Sequence, residues 1–371
     1  MNTNYYAVIM AGGVGTRFWP VSTQEYPKQF HDMLGTGESL IQRTFHRINQ
    51  LIPSENIFIS TNERYENLVL KQLPEISKKQ LLLEPVMRNT APCILYASLK
   101  IKAINPDAVL LIAPSDHWIE NETEFLKNLN TAFKIAENNA VLMTLGIQPD
   151  TPNTGYGYIK FEENKTNFSD VSNTSDSSAV KKVIKFTEKP ALETAKEFFK
   201  SGDYLWNAGI FVTSAKSILN AFRKYAPEML LILTPKNENI IYNTEKESEF
   251  IENNYPKCEN ISIDYAIMER AENMYILPIN VGWNDLGTWG SLYQKLTKDT
   301  QQNAVVGAKA IFKDANGNMI RTENGKKIII QGLHNFIIVE KEDVILICPR
   351  KDEQDIKQIS ATAKEYFLKI K

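Results

Sequence analysis

The sequence predicts an α/β fold: a doubly wound, mixed and mostly parallel sheet, followed by a small β-rich domain that ends in a helix. Two observations carry this prediction. Apolar runs of strand length alternate with helical patterns over the first 150 or so residues, and the pattern changes to short β-rich runs after about residue 300. We therefore predict one domain over residues 1–300 and a second over residues 301–371.

The strand-like and helix-like segments follow one another closely. In chain order they lie at 6–10, 39–51, 57–60, 90–104, 109–113, 125–138 and 140–146. Short connections between such segments favour parallel strands joined by right-handed crossovers, with helices on both faces of the sheet. Ligands of such sheets lie at the carboxyl ends of the strands. We therefore expect the segments that follow 6–10 and 109–113 to share one edge.

The last 70 or so residues have a different sequence pattern. Turn signals at 314–317 and 323–325 separate short β-rich runs, which favours hairpins. The final segment predicts an amphipathic helix that docks on protein, because its apolar side chains fall on one side of a helical wheel. These side chains are Ile356, Ile359, Ala363, Phe367 and Ile370.

Composition excludes several classes of partner. The net charge is -2, and no run of basic residues is long enough to bind a nucleic acid polymer. No apolar run approaches the length of roughly 18 residues that a membrane span needs, so we expect no membrane partner. The three cysteines are widely spaced and odd in number, which is typical of reduced thiols. We therefore expect a cytoplasmic protein.

A glycine-rich loop follows the first apolar run and predicts a phosphate site. A dinucleotide fingerprint that starts at Gly13 has Phe18 in place of its third glycine. A P-loop that starts at Gly12 has Arg17 at its second glycine and no Lys-Ser/Thr pair after it. The loop belongs to another class, in which Arg17 and Lys28 supply positive charge for a triphosphate. The alternative is a glycine turn with two surface cations.

Two aspartates are candidate metal ligands. Asp116 follows a buried-looking strand, and Asp285 stands between apolar neighbours and a glycine. Hard carboxylate oxygens suit Mg²⁺, which usually takes one or two of them together with phosphates and waters. The alternative is that each aspartate caps the next helix.

Several blocks of the sequence resemble, in order, those of the sugar-1-phosphate nucleotidyltransferases, and specifically of the mannose-1-phosphate guanylyltransferases. The resemblance covers residues 5 to about 347. The blocks are Gly-Gly-Val-Gly-Thr-Arg-Phe-Trp-Pro at 12–20 with Pro-Lys-Gln-Phe at 27–30, and those at 84–92, 113–117, 155–159, 186–190, 206–211 and 282–289.

The resemblance implies a Rossmann-like fold and the transfer of GMP from GTP to mannose-1-phosphate with Mg²⁺. It implies nucleotide-binding roles for Gly12, Gly13, Gly15, Thr16, Glu84, Arg88, Asn89 and Thr90. It implies sugar-phosphate binding by Gly157, Glu188, Lys189 and Asn207. Arg17 and Lys28 are then the catalytic cations, Asp116 and Asp285 bind the metal, and a homodimer is plausible.

Some alternatives stay open at this point. Guanine could be read by the Glu84 carboxylate or by backbone carbonyls, and Asn89 could simply cap a helix. The Asn207 amide could offer both a donor and an acceptor to a sugar hydroxyl. We expect Arg17 and Lys28 to lie in an open site, so that replacing either lowers turnover more than stability. The alternative functions are a catalytically silent regulatory homologue, or a nucleotidyltransferase for another sugar-1-phosphate or base.

Overall fold

The computed structural model describes residues 1–163, 168, 180–235 and 241–368. These residues form two compact units. The first takes its described residues from 1–12, 44–115 and 119–283, and the second from 13–43, 116–118 and 284–371. The domain boundary after residue 300 stays a prediction about independently folding parts of the chain.

The first unit is built on one mixed sheet. Its strands are β1 (Tyr5–Met10), β2 (Ile57–Asn62), β3 (Leu81–Glu84), β4 (Val109–Pro114), β5 (Leu142–Ile147), β6 (Tyr158–Phe161), β7 (Lys181–Thr187), β8 (Tyr204–Ser214) and β9 (Met274–Ile279). Within the described residues, their order is β3-β2-β1-β4-β8-β5-β9-β7-β6. The pairs β2–β3, β1–β2, β1–β4 and β5–β9 are parallel. The predicted α/β class is confirmed, while the antiparallel insertion of β8 between β4 and β5 was not predicted.

Helices of the first unit supply much of the rest of its core. In chain order the helices of both units are α1 (Leu40–Asn49), α2 (Glu66–Gln72), α3 (Thr90–Ile104), α4 (Glu122–Asn138), α5 (Leu192–Ser201), α6 (Ala215–Tyr225), α7 (Pro227–Leu233), α8 (Glu247–Asn254), α9 (Trp289–Lys295) and α10 (Ile356–Leu368). Strands β1 and β4 are buried at every position except their last. Such continuous burial is typical of parallel strands that are covered on both faces.

The β-rich part of the second unit is a four-stranded sheet whose first three strands pair in parallel and whose last two pair antiparallel, and the predicted hairpins at 314–317 and 323–325 are wrong. Its strands are β10 (Ala304–Lys313), β11 (Met319–Gln331), β12 (Phe336–Lys341) and β13 (Val344–Pro349). The segment 314–317 joins β10 to β11, which pair in parallel, and 323–325 lies within β11.

Buried asparagines explain the parallel pairing. The Asn318 side-chain amide donates to Asn303 Oδ1 at 3.0 Å and to the Leu333 carbonyl at 2.8 Å. Asn303 precedes β10, Asn318 precedes β11 and Leu333 precedes β12, so these bonds hold the starts of three successive strands side by side. Strands whose starts lie side by side run in the same direction.

The terminal helix α10 is anchored at its start. Ile356 is fully buried in a core that includes Phe18 and Trp289 of the same unit. Ile359 and Phe367 are 38% and 57% exposed, and Ile370 lies outside the described residues. Ala363 is half-buried, so the predicted apolar stripe is fully buried only at its beginning. None of the helices in the described residues is long and apolar enough to cross a membrane.

Candidate active site

The glycine-rich loop of the second unit has a fixed backbone. Gly15 has a φ of +62°, and a Cβ atom there would lie 2.6 Å from the Cβ of Lys28, so glycine is required. The Phe18 amide donates to the Gly15 carbonyl at 3.0 Å. The Phe18 ring is buried and meets the Trp289 ring edge-on, with centroids 4.9 Å apart. The loop is therefore held at both ends of its turn.

A cavity of about 410 Å³ opens beside this loop. All of its lining residues belong to the second unit: Gly13, Gly15, Thr16, Arg17, Phe18, Lys28, Asp116, His117, Asp285, Gly287 and Lys357. Every predicted site residue of this unit is among them. Lys357 was not predicted.

Lys28 is not an open cation, contrary to the expectation from the sequence. It is 5% exposed, and its ammonium lies 2.7 Å from Asp116 Oδ2. The ammonium also donates to the carbonyls of Asp285 at 3.1 Å and Leu286 at 2.9 Å. Since an ammonium has three N–H donors, all of them are in use. Lys28 therefore holds the wall of the cavity together.

This ion pair keeps Asp116 ionised. Burial by itself would raise the pKa of the Asp116 carboxyl, but the charges of Lys28 and His117 and the hydrogen bond from Lys28 outweigh it. The resulting pKa lies below the ordinary value. A carboxylate next to a glycine-rich loop is thus available to a cation over the whole neutral pH range.

Neither candidate metal ligand caps a helix. Helix α4 is capped by Asn121 and helix α9 by Thr288. Asp285 accepts a hydrogen bond from the Gly287 amide at 3.0 Å and, like Asp116, lines the cavity. Among the described residues there is no group of three or more His, Cys, Asp or Glu side chains that could hold a metal ion. Two hard carboxylates fit Mg²⁺, which completes its coordination with phosphates and waters.

Arg17 is the exposed cation of the loop. Its guanidinium has no hydrogen bond or ion pair with any residue that the structure describes. All five of its N–H donors can therefore bind a phosphate at the cavity.

In the first unit, the Glu84 carboxylate is buried and already engaged at both oxygens. It is 7% exposed and accepts hydrogen bonds from the Ser60 hydroxyl and from the Tyr255 hydroxyl, both at 2.8 Å. Burial raises the pKa of Glu84 above its ordinary value. This geometry disfavours Glu84 as the group that reads guanine and favours backbone carbonyls.

Gly12 lies just after β1. A Cβ atom added there would meet no atom within 4 Å, so the space beside its backbone is open.

The segment 88–90, which follows Glu84, is hydrogen-bonded to the segment 256–263. Asn89 has a φ of +65°, and its side chain accepts from the Thr90 amide at 3.0 Å, so it caps α3. The Thr90 hydroxyl accepts from the Ile263 amide at 2.9 Å. Arg88 donates to the Pro256 carbonyl at 2.6 Å. The helix-cap alternative for Asn89 is therefore correct, and the nucleotide-binding roles of these residues stay predictions.

Asn207 is held by several hydrogen bonds at a buried position on β8. Its Oδ1 accepts from the Thr144 hydroxyl at 3.0 Å and from the Gly209 amide at 3.1 Å. Its Nδ2 donates to Asp264 Oδ1 at 3.0 Å. The oxygen has no lone pair left, so a ligand can be offered only the remaining N–H.

The predicted sugar-phosphate residues cluster around Glu188. Its Oε1 lies 2.8 Å from the Lys189 ammonium, and its Oε2 lies 2.5 Å from where a Cβ of Gly157 would be. A side chain at position 157 would thus collide with the carboxylate. Burial lowers the pKa of Lys189, but its bond to Glu188 and the charges of Glu188 and Asp264 outweigh burial and raise it.

Asp264 is the member of this cluster that the sequence reasoning missed. It starts a π-helical turn, Asp264–Met268, of the kind often found at functional sites. Burial and the charge of Glu188 raise its pKa to about 7. The sequence does hold a signal for Asp264, because it is a carboxylate in a mostly apolar run. The same signal led to the prediction of Asp285 as a metal ligand. Asp264 lies in no block that was quoted for the family resemblance.

Comparison with known proteins gives a family model, curated relatives and solved structures that match most of the chain. The family model described as Nucleotidyl transferase matches residues 6–302. A mannose-1-phosphate guanylyltransferase of Salmonella montevideo is 37% identical over 357 residues, which cover 95% of this chain and 72% of that protein. A protein of the same name from Escherichia coli strain K12 is 34% identical over 361 residues, which cover 95% of this chain and 72% of that protein. A solved structure described as mannose-1-phosphate geranyltransferase from Thermus thermophilus has a TM-score of 0.84 and 27% identity, and the match covers 97% of this chain and 99% of that one.

The different partners of Arg17 and Lys28 lead to a first prediction. Arg17→Ala should change the free energy of unfolding by no more than about 0.5 kcal/mol, as is usual for exposed positions. Lys28→Ala should lower it by about 1–3 kcal/mol, because Asp116 and two carbonyls lose their donor. Urea unfolding of both variants checks this. Equal stability of the two variants would show that the buried pair contributes nothing.

A second prediction concerns Asp264 and pH. With a pKa of about 7 against an ordinary 3.8, this carboxyl keeps in the folded state a proton that it loses in the unfolded state. Its contribution to stability is therefore present below about pH 4 and is lost as the pH rises to about 7. Asp264→Asn removes the titration, so the stability of the variant relative to the parent should rise across that window and then level off. Thermal unfolding between pH 4 and pH 8 measures this, and parallel curves for the two proteins would contradict it.

Proposed function

The chain belongs to the nucleotidyl transferase family, and from this premise we propose that it transfers GMP from GTP to mannose-1-phosphate, giving GDP-mannose and pyrophosphate. The relatives of this name match about 95% of the chain. The observation that carries the proposal is the cavity in which a glycine-rich loop, the exposed Arg17 and two aspartates meet.

The reaction needs charge neutralisation and alignment more than it needs a nucleophile on the enzyme. A phosphate oxygen of the sugar phosphate attacks the α-phosphorus of GTP, the bond from that phosphorus to the bridging oxygen breaks, and pyrophosphate leaves with the electron pair. The attacking oxygen is already ionised, so no general base is required. Arg17 binds the triphosphate, and the fixed backbone around Gly15 positions it.

We propose Mg²⁺ as the divalent metal, held by Asp116 and Asp285. Bound there, it would withdraw charge from the phosphates and help pyrophosphate to leave. Lys28 acts on Asp116, because it fixes one carboxylate oxygen and keeps the group ionised. It also fixes the backbone at Asp285. Its role in the reaction is thus to position the metal ligands.

The base and the sugar are assigned to the first unit. Since Glu84 is buried and both of its oxygens already accept from hydroxyls, backbone carbonyls near Gly12 and in the segment 84–92 are the proposed acceptors for guanine N1–H and N2–H₂. Glu188 accepts from sugar hydroxyls and Lys189 binds the sugar phosphate. Asn207 contributes its one remaining N–H, and we add Asp264 as a further hydroxyl acceptor beside it.

We also propose a cytoplasmic location and leave the homodimer as a prediction for light scattering. Cys93, Cys258 and Cys348 are free and buried. Free thiols are usual in a reducing compartment.

The proposal makes a third prediction, on substrate choice. With mannose-1-phosphate, GTP should give pyrophosphate release, and ATP should lower kcat/KM by at least about 10²-fold, because adenine reverses the donor and acceptor pattern of guanine. Glucose-1-phosphate in place of mannose-1-phosphate should cost only about 10-fold, the loss of one hydrogen bond. A coupled pyrophosphate assay with all four substrate pairs measures both ratios.

The same assay separates the alternatives. Equal use of ATP and GTP would overturn the guanylyl assignment and leave a nucleotidyltransferase of another base. A preference for glucose-1-phosphate would overturn the sugar assignment. No product with any pair would favour a regulatory homologue that binds nucleotides without turning them over.

A further inference from the structure

A lysine from the C-terminal helix lines the phosphate cavity. Lys357 is the second residue of α10 and shares the cavity wall with Arg17 and Asp285. The preceding residue, Ile356, is fully buried in the same unit as Phe18. The backbone that carries Lys357 is therefore anchored, while its side chain is exposed.

The charged side chains that line the cavity would supply little net positive charge without Lys357. Lys28 is neutralised by Asp116 at 2.7 Å and has no donor to spare. Asp285 cancels the charge of Arg17, so without Lys357 only His117 is left as a source of net positive charge in the lining. A nucleoside triphosphate brings several negative charges, and Lys357 adds a permanent cation to meet them.

Lys357 has no structural partner that would explain its presence. Among the residues that the structure describes, its ammonium makes no hydrogen bond or ion pair. The stability of α10 therefore gives no reason for a lysine at this position.

We propose that Lys357 binds the terminal phosphates of the nucleotide substrate and the pyrophosphate that leaves. This rests on the proposed function for the identity of the nucleotide, but the chemistry that it assigns to Lys357 requires only a polyphosphate. It also gives the C-terminal helix a part in substrate binding, because deleting α10 would remove a cation from the cavity as well as Ile356 from the core.

The test uses the full chain and inorganic pyrophosphate with Mg²⁺ as the probe. Isothermal titration should show that Lys357→Met weakens pyrophosphate binding on the order of 10- to 100-fold, the usual effect of losing a charge-assisted hydrogen bond. Lys357→Arg should keep most of the affinity, because it keeps the charge. Lys364→Met is the matched control, since Lys364 is an exposed lysine two turns along the same helix and does not line the cavity.

The outcomes separate this inference from the proposed function. Pyrophosphate affinity unchanged in Lys357→Met, lowered equally in Lys364→Met, or absent in the parent protein would overturn the role of Lys357. A selective loss in Lys357→Met with an unchanged melting temperature supports it. If the parent binds pyrophosphate but makes no product from GTP and mannose-1-phosphate, the proposed function fails and the role of Lys357 stands. In an active enzyme, Lys357→Met should raise KM for GTP by a larger factor than Lys364→Met.

Discussion

The ion pair between Lys28 and Asp116 is the interaction on which the phosphate cavity depends. It joins three segments that are far apart in the sequence, because the same ammonium also binds the carbonyls of Asp285 and Leu286. Desolvation makes a buried ammonium costly unless every donor is used, and here all three are. The pair thereby fixes one proposed metal ligand directly and the backbone of the other. The sequence suggested a substrate-binding role for Lys28, whereas its partners indicate a positioning role.

The fold and the family could be predicted because their signals are local. Alternating apolar runs gave the α/β class, and ordered motifs gave the nucleotidyltransferase family, which the comparisons confirm. The direction of strand pairing in the second unit could not be predicted. Turn residues such as those at 314–317 indicate a tight change of direction and do not say whether the chain reverses or coils. That choice depends on long-range bonds such as those of Asn318, which have no local signal.

For the candidate site, the sequence indicated which residues carry charge or hydrogen-bonding groups. It could not indicate which of these groups are free to contact a ligand. Glu84 and Asp264 are both carboxylates of the first unit, yet Glu84 is buried with a hydroxyl bound to each oxygen, whereas Asp264 is half-buried. Asp264 accepts hydrogen bonds from the Asn207 amide and the Ser262 side chain and lies in the field of Glu188, which helps to raise its pKa. In the second unit, Lys28 is buried and Lys357 is exposed. In both pairs the burial of the side chain, which only the structure gives, decides which residue can meet a ligand.

The most direct test of this account is a double-mutant cycle on the buried pair, with Lys28→Met, Asp116→Asn and the double variant unfolded in urea without nucleotide or metal. If the pair holds the cavity wall, each single variant loses stability and the double variant loses less than the sum. The coupling should then be about 1–3 kcal/mol, as for residues in one hydrogen-bonded network. Losses that add to within about 0.5 kcal/mol, as they do for independent sites, would contradict the central place given to this ion pair.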